Sequence, residues 1–179
     1  MNYDTQMLSS SDEDIDKAAK LLRDGGVVGI PTETVYGLAA DARNSSAVSE
    51  IFKAKGRPQD NPLIVHIGEF SDIYKYVTDV PENALKLAET FWPGPLTMVL
   101  PKKDIIPMTT SGGLDTVGIR FPVHPVAREI IRRSGCALAA PSANLSGSPS
   151  PTTAMHVYKD MNGRIPAIVD GGDCAVGVE

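Results

Sequence analysis

Residues 11–38, SDEDIDKAAKLLRDGGVVGIPTETVYGL, decide the fold class. Ser11 places a hydroxyl where a helix begins. Asp12, Glu13 and Asp14 follow in the turn where the helix dipole favours anions. Ile15, Ala18, Ala19 and Leu22 recur at helical spacing, and Gly25-Gly26 stops the run. Residues 27–30 then form a short apolar strand, ended by Pro31. A helix, a buried strand and a polar loop in direct succession are the repeating unit of an α/β sheet.

The alternation continues outward. The pattern predicts a helix over 47–55, with Val48, Ile51 and Phe52 inward and Gly56 as its stop. It predicts strands over 63–67, 96–100, 116–121, 137–140 and 167–169. Between them fall one or two helices within 71–91, broken at Pro81, and helices over 126–133 and 153–161. The expectation is one α/β domain over 1–179, a twisted mixed sheet with flanking helices, with no repeat and no linker. In such sheets ligands bind beyond the carboxyl ends of strands, and the polar clusters of this chain follow strands there.

With 42% apolar and 22% charged residues, the chain is an ordinary globular composition. No apolar run approaches the roughly 20 residues of a membrane span. The first 17 residues are polar and acidic, unlike a secretory or transit signal, so a cytoplasmic location is expected. Cys136 and Cys174 are too few for a disulfide framework, and His66, His124 and His156 are isolated, so no metal-ligand spacing occurs. The net charge of −5 argues against a protein built to grip a phosphate backbone. Yet cations cluster at Lys53, Lys55 and Arg57, at Lys102 and Lys103, and at Arg128, Arg132 and Arg133. A local basic cleft in an acidic protein suits a small anionic substrate such as a nucleotide.

Four motifs carry candidate chemistry. PTETVYGL (31–38) packs hydroxyls, an acid and a tyrosine after a strand. Thr34 suits an amino-acid or phosphate oxygen, while a plain turn with Tyr36 in the core explains the same residues. KAKGRP (53–58) ends a helix, where cations are stabilising without any ligand. Pro58 and Pro62, however, stiffen the segment that carries Arg57 and Asn61, as polyphosphate donors require. TVGIRFP (116–122) sets Arg120 on the strand face opposite Ile119 and Phe121, where an exposed or paired arginine is the plainer reading. AAPSANLSG (139–147) places Ser142 and Asn144 two residues apart, on one side of an extended segment. Ser142 lacks a G-x-S-x-G elbow, which removes the hydrolase reading. Neither a P-loop nor a G-x-G-x-x-G is present, so side chains would have to hold any phosphates.

Taken in order, PTETVYGL, KGRPQDNPLIVHI, FWPGPLTMVL, TVGIRFP and APSANLSG resemble the YrdC-like threonylcarbamoyl-AMP synthases, from about residue 25 to residue 179. The resemblance implies a twisted sheet around a deep basic cleft. It also implies a nucleotidyltransferase that joins L-threonine, bicarbonate and ATP, with Mg2+ accompanying ATP, for N6-threonylcarbamoyladenosine in tRNA. Carried over by motif, Lys55 and Arg57 would be catalytic, and Thr34, His66, Arg120 and Ser142 would surround L-threonine. Arg57, Asn61, Thr116, Asn144 and Thr152 would hold ATP. Apart from the family, His66 is the polar end of a buried strand. The implied partners are the downstream tRNA threonylcarbamoyltransferase machinery, with weak tRNA or RNA binding as a further expectation and no membrane. The family pattern runs past Glu179 to a Ser-Thr pair, so the C-terminus is expected to be truncated. Two alternatives stand beside this one. An RNA-binding module of the same fold is disfavoured by the net charge and by 6% aromatic residues. A carbamoyl-adenylate-forming domain is disfavoured by the absence of accompanying Cys-rich modules.

Overall fold

The computed structural model describes residues 3–58 and 61–178. Among them, eight strands form one mixed sheet: β1 (Gln6–Leu8), β2 (Val28–Ile30), β3 (Gly37–Asp41), β4 (Ile64–His66), β5 (Thr97–Pro101), β6 (Thr116–Arg120), β7 (Leu138–Ala139) and β8 (Ala167–Val169). Their spatial order is β1-β8-β2-β3-β7-β4-β6-β5. The β1/β8, β8/β2 and β4/β6 pairs are parallel, and the other pairs are antiparallel. The helices are α1 (Asp12–Arg23), α2 (Ser45–Lys55), α3 (Ile73–Tyr76), α4 (Glu82–Phe91), α5 (Met108–Ser111), α6 (Pro125–Ser134) and α7 (Ala154–Met161). No helix is long and apolar enough to cross a membrane.

Local chemistry sets the helix ends. The Ser11 side chain accepts from the Asp14 amide at 3.3 Å to cap α1. Gly56, at φ 63°, closes α2: its amide bonds the Lys53 carbonyl and the Arg57 amide bonds that of Phe52, at 3.2 and 3.0 Å.

The two sheet faces are covered unequally. Helices α1 and α6 pack together over a smaller core that includes Leu22, Val28, Ile30, Ile130 and Leu138. Helices α2, α3, α4 and α7 cover the opposite face over a larger core built on Phe52, Val65, Ile67, Val117, Ile119 and Phe121. Period-2 alternation therefore sends Ile64 and His66 of β4, and Gly118 and Arg120 of β6, to the face away from the larger core. Ile64 stays 37% exposed there. This stretch of sheet is the floor of the cleft described below. The polar groups thus lie on a sheet face, where the sequence sets Arg120, as well as beyond strand ends.

Strands β1 and β3 and helix α5 were not anticipated. Three residues of β1 are too short to show alternation, and β1 forms only because β8 offers a parallel edge. Strand β3 is Gly-Leu-Ala-Ala-Asp, weak in strand propensity, yet it lies at the sheet centre between β2 and β7. Its small side chains suit close packing on both sides: Ala39 joins the smaller core, and Leu38 and Ala40 the larger.

Candidate active site

A cavity of about 210 Å³ opens over β4 and β6. The 31–38 loop between β2 and β3 forms one wall through Thr32, Thr34 and Val35. Ala140, Pro141 and Ser142, after β7, form another, and Arg57, Pro62 and Leu63 stand at one end. Ile64, His66 and Arg120 form the floor.

Arg120 is 8% exposed and its partners are specific. Nη2 donates to Glu33 Oε1 at 2.5 Å, and Nη1 and Nη2 both donate to Thr34 Oγ1 at 3.2 Å. With both lone pairs of Thr34 engaged, its proton must point away from the guanidinium. Thr32 Oγ1 lies 3.1 Å away, but its own proton goes to the Val35 carbonyl at 2.6 Å. Thr34 is therefore the donor toward Thr32 or toward a ligand. A ligand oxygen above Thr34 meets hydroxyl and guanidinium donors together, which suits a carboxylate.

His66 beside it is neutral. Burial, then the nearby Arg120 charge, lowers its pKa from 6.5 to about 3. The ring is a polar, neutral part of the floor, with Nδ1 3.3 Å from the Ile64 carbonyl.

At the other end, the α2 closure aims Arg57 at the cleft. With the Asn61 carboxamide oxygen turned toward it, Arg57 donates through Nε at 2.9 Å and Nη2 at 2.6 Å. Asn61 thereby orients the guanidinium. Lys55 is 3% exposed, and its Nζ donates to the Ser142 carbonyl and, at 2.8 Å, to that of Asn144. In this structure Lys55 ties α2 to the 141–147 loop. Ser142 lines the cleft, whereas Asn144 Nδ2 turns to the carbonyls of Leu145 and Ser148 at 2.9 and 2.7 Å. The common direction expected of Ser142 and Asn144 fails because the chain bends at 143–144.

Thr116 pairs with Pro101 at the start of β6 and is absent from the cavity lining. Thr152 sits behind the 31–38 loop: Tyr36 donates its amide to the Pro151 carbonyl at 2.8 Å, and Cys174 donates to that of Thr152 at 2.9 Å. The structure thus gathers Thr34, Arg57, His66, Arg120 and Ser142 around one cavity, supported by Asn61 and Lys55. Thr116, Asn144 and Thr152 stand outside its lining.

Sequence reasoning missed Glu33 and Thr32, although both lie in the quoted motif. Glu33 stands between two threonines in a polar loop, so nothing beside it in the sequence marks it as buried or names its partner. Sequence reasoning also missed the segment after β8. There Val176 and Gly177 donate to the carbonyls of Glu33 and Thr34, both at 3.0 Å, and Tyr36 Oη donates to Gly172 O at 2.7 Å. Burial raises the Tyr36 pKa to about 12. The expected continuation past Glu179 lies outside the described residues.

Comparison with known proteins places these features in a family. The Sua5/YciO/YrdC family model, described as "Telomere recombination", matches residues 20–179. The chain is 54% identical over 176 residues to the threonylcarbamoyl-AMP synthase of Bacillus subtilis, covering 98% of this chain and 51% of that protein. It is 53% identical over 162 residues to the corresponding synthase of Pyrococcus abyssi, covering 90% and 48%. The chain spans about half the length of the curated relatives it matches. Among solved structures, P. abyssi Sua5 complexed with L-threonine superposes with a TM-score of 0.96 at 49% identity, covering 98% of this chain and 53% of that one.

Proposed function

This chain belongs to the Sua5/YciO/YrdC family, and on that premise we propose that it is the catalytic domain of an L-threonylcarbamoyladenylate synthase. One observation carries the reading: an amino-acid-sized cavity places the Arg120–Thr34 donor group at one end and the Arg57–Asn61 pair at the other. At about 210 Å³ it lies below the ~300 Å³ where drug-sized pockets begin, so a nucleotide has to extend out past Arg57. The L-threonine complex of P. abyssi Sua5 supports the amino-acid assignment.

In this reading the threonine carboxylate lies against Thr34 and Arg120, and neutral His66 and Ser142 frame the rest. The amine takes up bicarbonate-derived CO2 and loses a proton to give a carbamate. A carbamate oxygen attacks the α-phosphorus of ATP, the Pα–O bond to the β-phosphate breaks, and pyrophosphate leaves. No protein nucleophile takes part. The chain contributes positioning and charge: Arg57 faces the phosphates, and Lys55 holds the Ser142 wall in place. Among the described residues no group of three or more His, Cys, Asp or Glu converges. Phosphate oxygens would therefore hold the Mg2+ that accompanies ATP, neutralising charge there. The product would serve downstream tRNA threonylcarbamoyl transfer.

The test is incubation with ATP, bicarbonate and labelled L-threonine. Threonine-dependent pyrophosphate and a labelled adenylate are expected, with serine discriminated by only about 1–3 kcal/mol. Pyrophosphate release indifferent to threonine would overturn the reading.

A further inference from the structure

We propose that Glu33 is a positioning residue: acting through Arg120, it sets the donor pair that receives the carboxylate of the amino-acid substrate. This rests on the amino-acid reading of the cleft and extends it to a residue outside the cavity lining.

A buried arginine left alone has no fixed orientation. Its long stem is free to swing, and its charge seeks any acceptor. Arg120 is fixed at its backbone, where its carbonyl accepts from the Ile67 amide at 3.0 Å, but nothing in β6 fixes its head. Glu33 does so from the opposite wall. It is 7% exposed and pairs with Nη2 through Oε1. Its own backbone is held from both sides. Val176 donates to its carbonyl, and Thr32 Oγ1 accepts the amides of Thr34 and Val35 at 3.2 and 3.3 Å. The acid is thus mounted on a braced loop and aims at a strand.

Nη2 uses its two hydrogens on Glu33 and Thr34. Nη1 uses one on Thr34 and keeps one. The remaining Nη1 hydrogen and the Thr34 hydroxyl proton are the donors left for a ligand, and Glu33 determines which nitrogen faces it. Glu33 also offsets the Arg120 charge, so this end of the cleft suits a zwitterion better than a bare anion. Glu33 Oε2 and Arg120 Nε are buried without partners, so the pair is held for orientation at the expense of full hydrogen bonding.

The experiment compares equilibrium binding of L-threonine with L-threonine amide, which lacks the carboxylate. Wild type is expected to prefer threonine by roughly tenfold or more, the scale of a charge-assisted hydrogen bond. Glu33→Ala should bring the two ligands within about twofold of each other, because the guanidinium is released. Glu33→Gln keeps an acceptor for Nη2 and should retain most of the preference. Full preference in Glu33→Ala, or a loss in Glu33→Gln as large as in Glu33→Ala, overturns the proposal. If Glu33→Ala fails to fold, Glu33→Asp replaces it: the charge stays but the reach shortens, and an undiminished preference is again the overturning result. Should wild type bind neither ligand, the amino-acid reading falls, and the 15N–1H signals of the Arg120 guanidinium decide the positioning role. Slow Nη rotation in wild type and Glu33→Gln, averaged in the Ala or Asp variant, supports it; identical spectra overturn it.

Discussion

His66 shows how burial changes a residue's meaning. Its ring lies in the cleft floor beside Arg120, and its pKa is lowered to about 3 from 6.5. Between those values the unfolded chain binds a proton that the folded chain does not. The associated stability is complete above about pH 6.5 and falls as pH drops toward 3. The limiting slope is about 1.4 kcal/mol per pH unit, so roughly 2 kcal/mol should disappear between pH 7 and 5. Urea unfolding at both pH values measures it, and His66→Gln should lack this component. Equal pH slopes in wild type and variant would sink the prediction. Lys55 shows the converse. In sequence it is a cation at a helix end, next to Arg57 and suited to phosphate. Its two carbonyl partners lie in a loop after β7, which no spacing rule connects to α2.

At the scale of elements, the Arg57–Asn61 end depends on a turn that donates no ligand contact. Gly112 follows α5 at φ 62°, and a Cβ there would sit 2.7 Å from the Pro62 nitrogen and 3.1 Å from the Asn61 carbonyl carbon. Gly113 also has a positive φ, 81°, but a Cβ there meets nothing within 4 Å. Gly113→Ala should cost only the left-handed penalty, about 1–2 kcal/mol. Gly112→Ala should cost about 1–3 kcal/mol more, because the clash is with backbone. By displacing Asn61, Gly112→Ala should also weaken ATP binding, whereas Gly113→Ala should not. Chemical denaturation and nucleotide titration of both variants check this, and equal behaviour would remove the packing argument. Elements with strong local signals, α1 and α2 above all, were legible in the sequence because their caps and apolar stripes are contiguous. Strand β3 was not, since Gly-Leu-Ala-Ala-Asp becomes a strand only between the partners β2 and β7.

Across the whole molecule, the cavity draws on residues 32, 34, 35, 37, 57, 62–64, 66, 120 and 140–142, and the 171–177 segment braces its 31–38 wall. No part of the chain forms it alone, so a ligand that binds it binds only the folded state. L-threonine at 100 times its dissociation constant should add about 2.7 kcal/mol of stability. For a domain of this size that raises Tm by roughly 5–10 °C. Thermal unfolding with and without threonine measures the shift, and its absence at that saturation would count against the cleft as the threonine site. By itself the sequence determined the α/β class, most helix boundaries, the inward face of β6 and the motifs that mark the family. Each of these is written in neighbouring residues, through caps, periodicity and contiguous strings. Only the tertiary structure decided that Glu33 holds Arg120, that Lys55 serves a loop, that Asn144 turns away from Ser142, and that Thr116 and Thr152 stand outside the cavity. Those outcomes depend on which side chains meet across the sheet, and a pairing between residues 33 and 120 leaves no local trace in either stretch of chain.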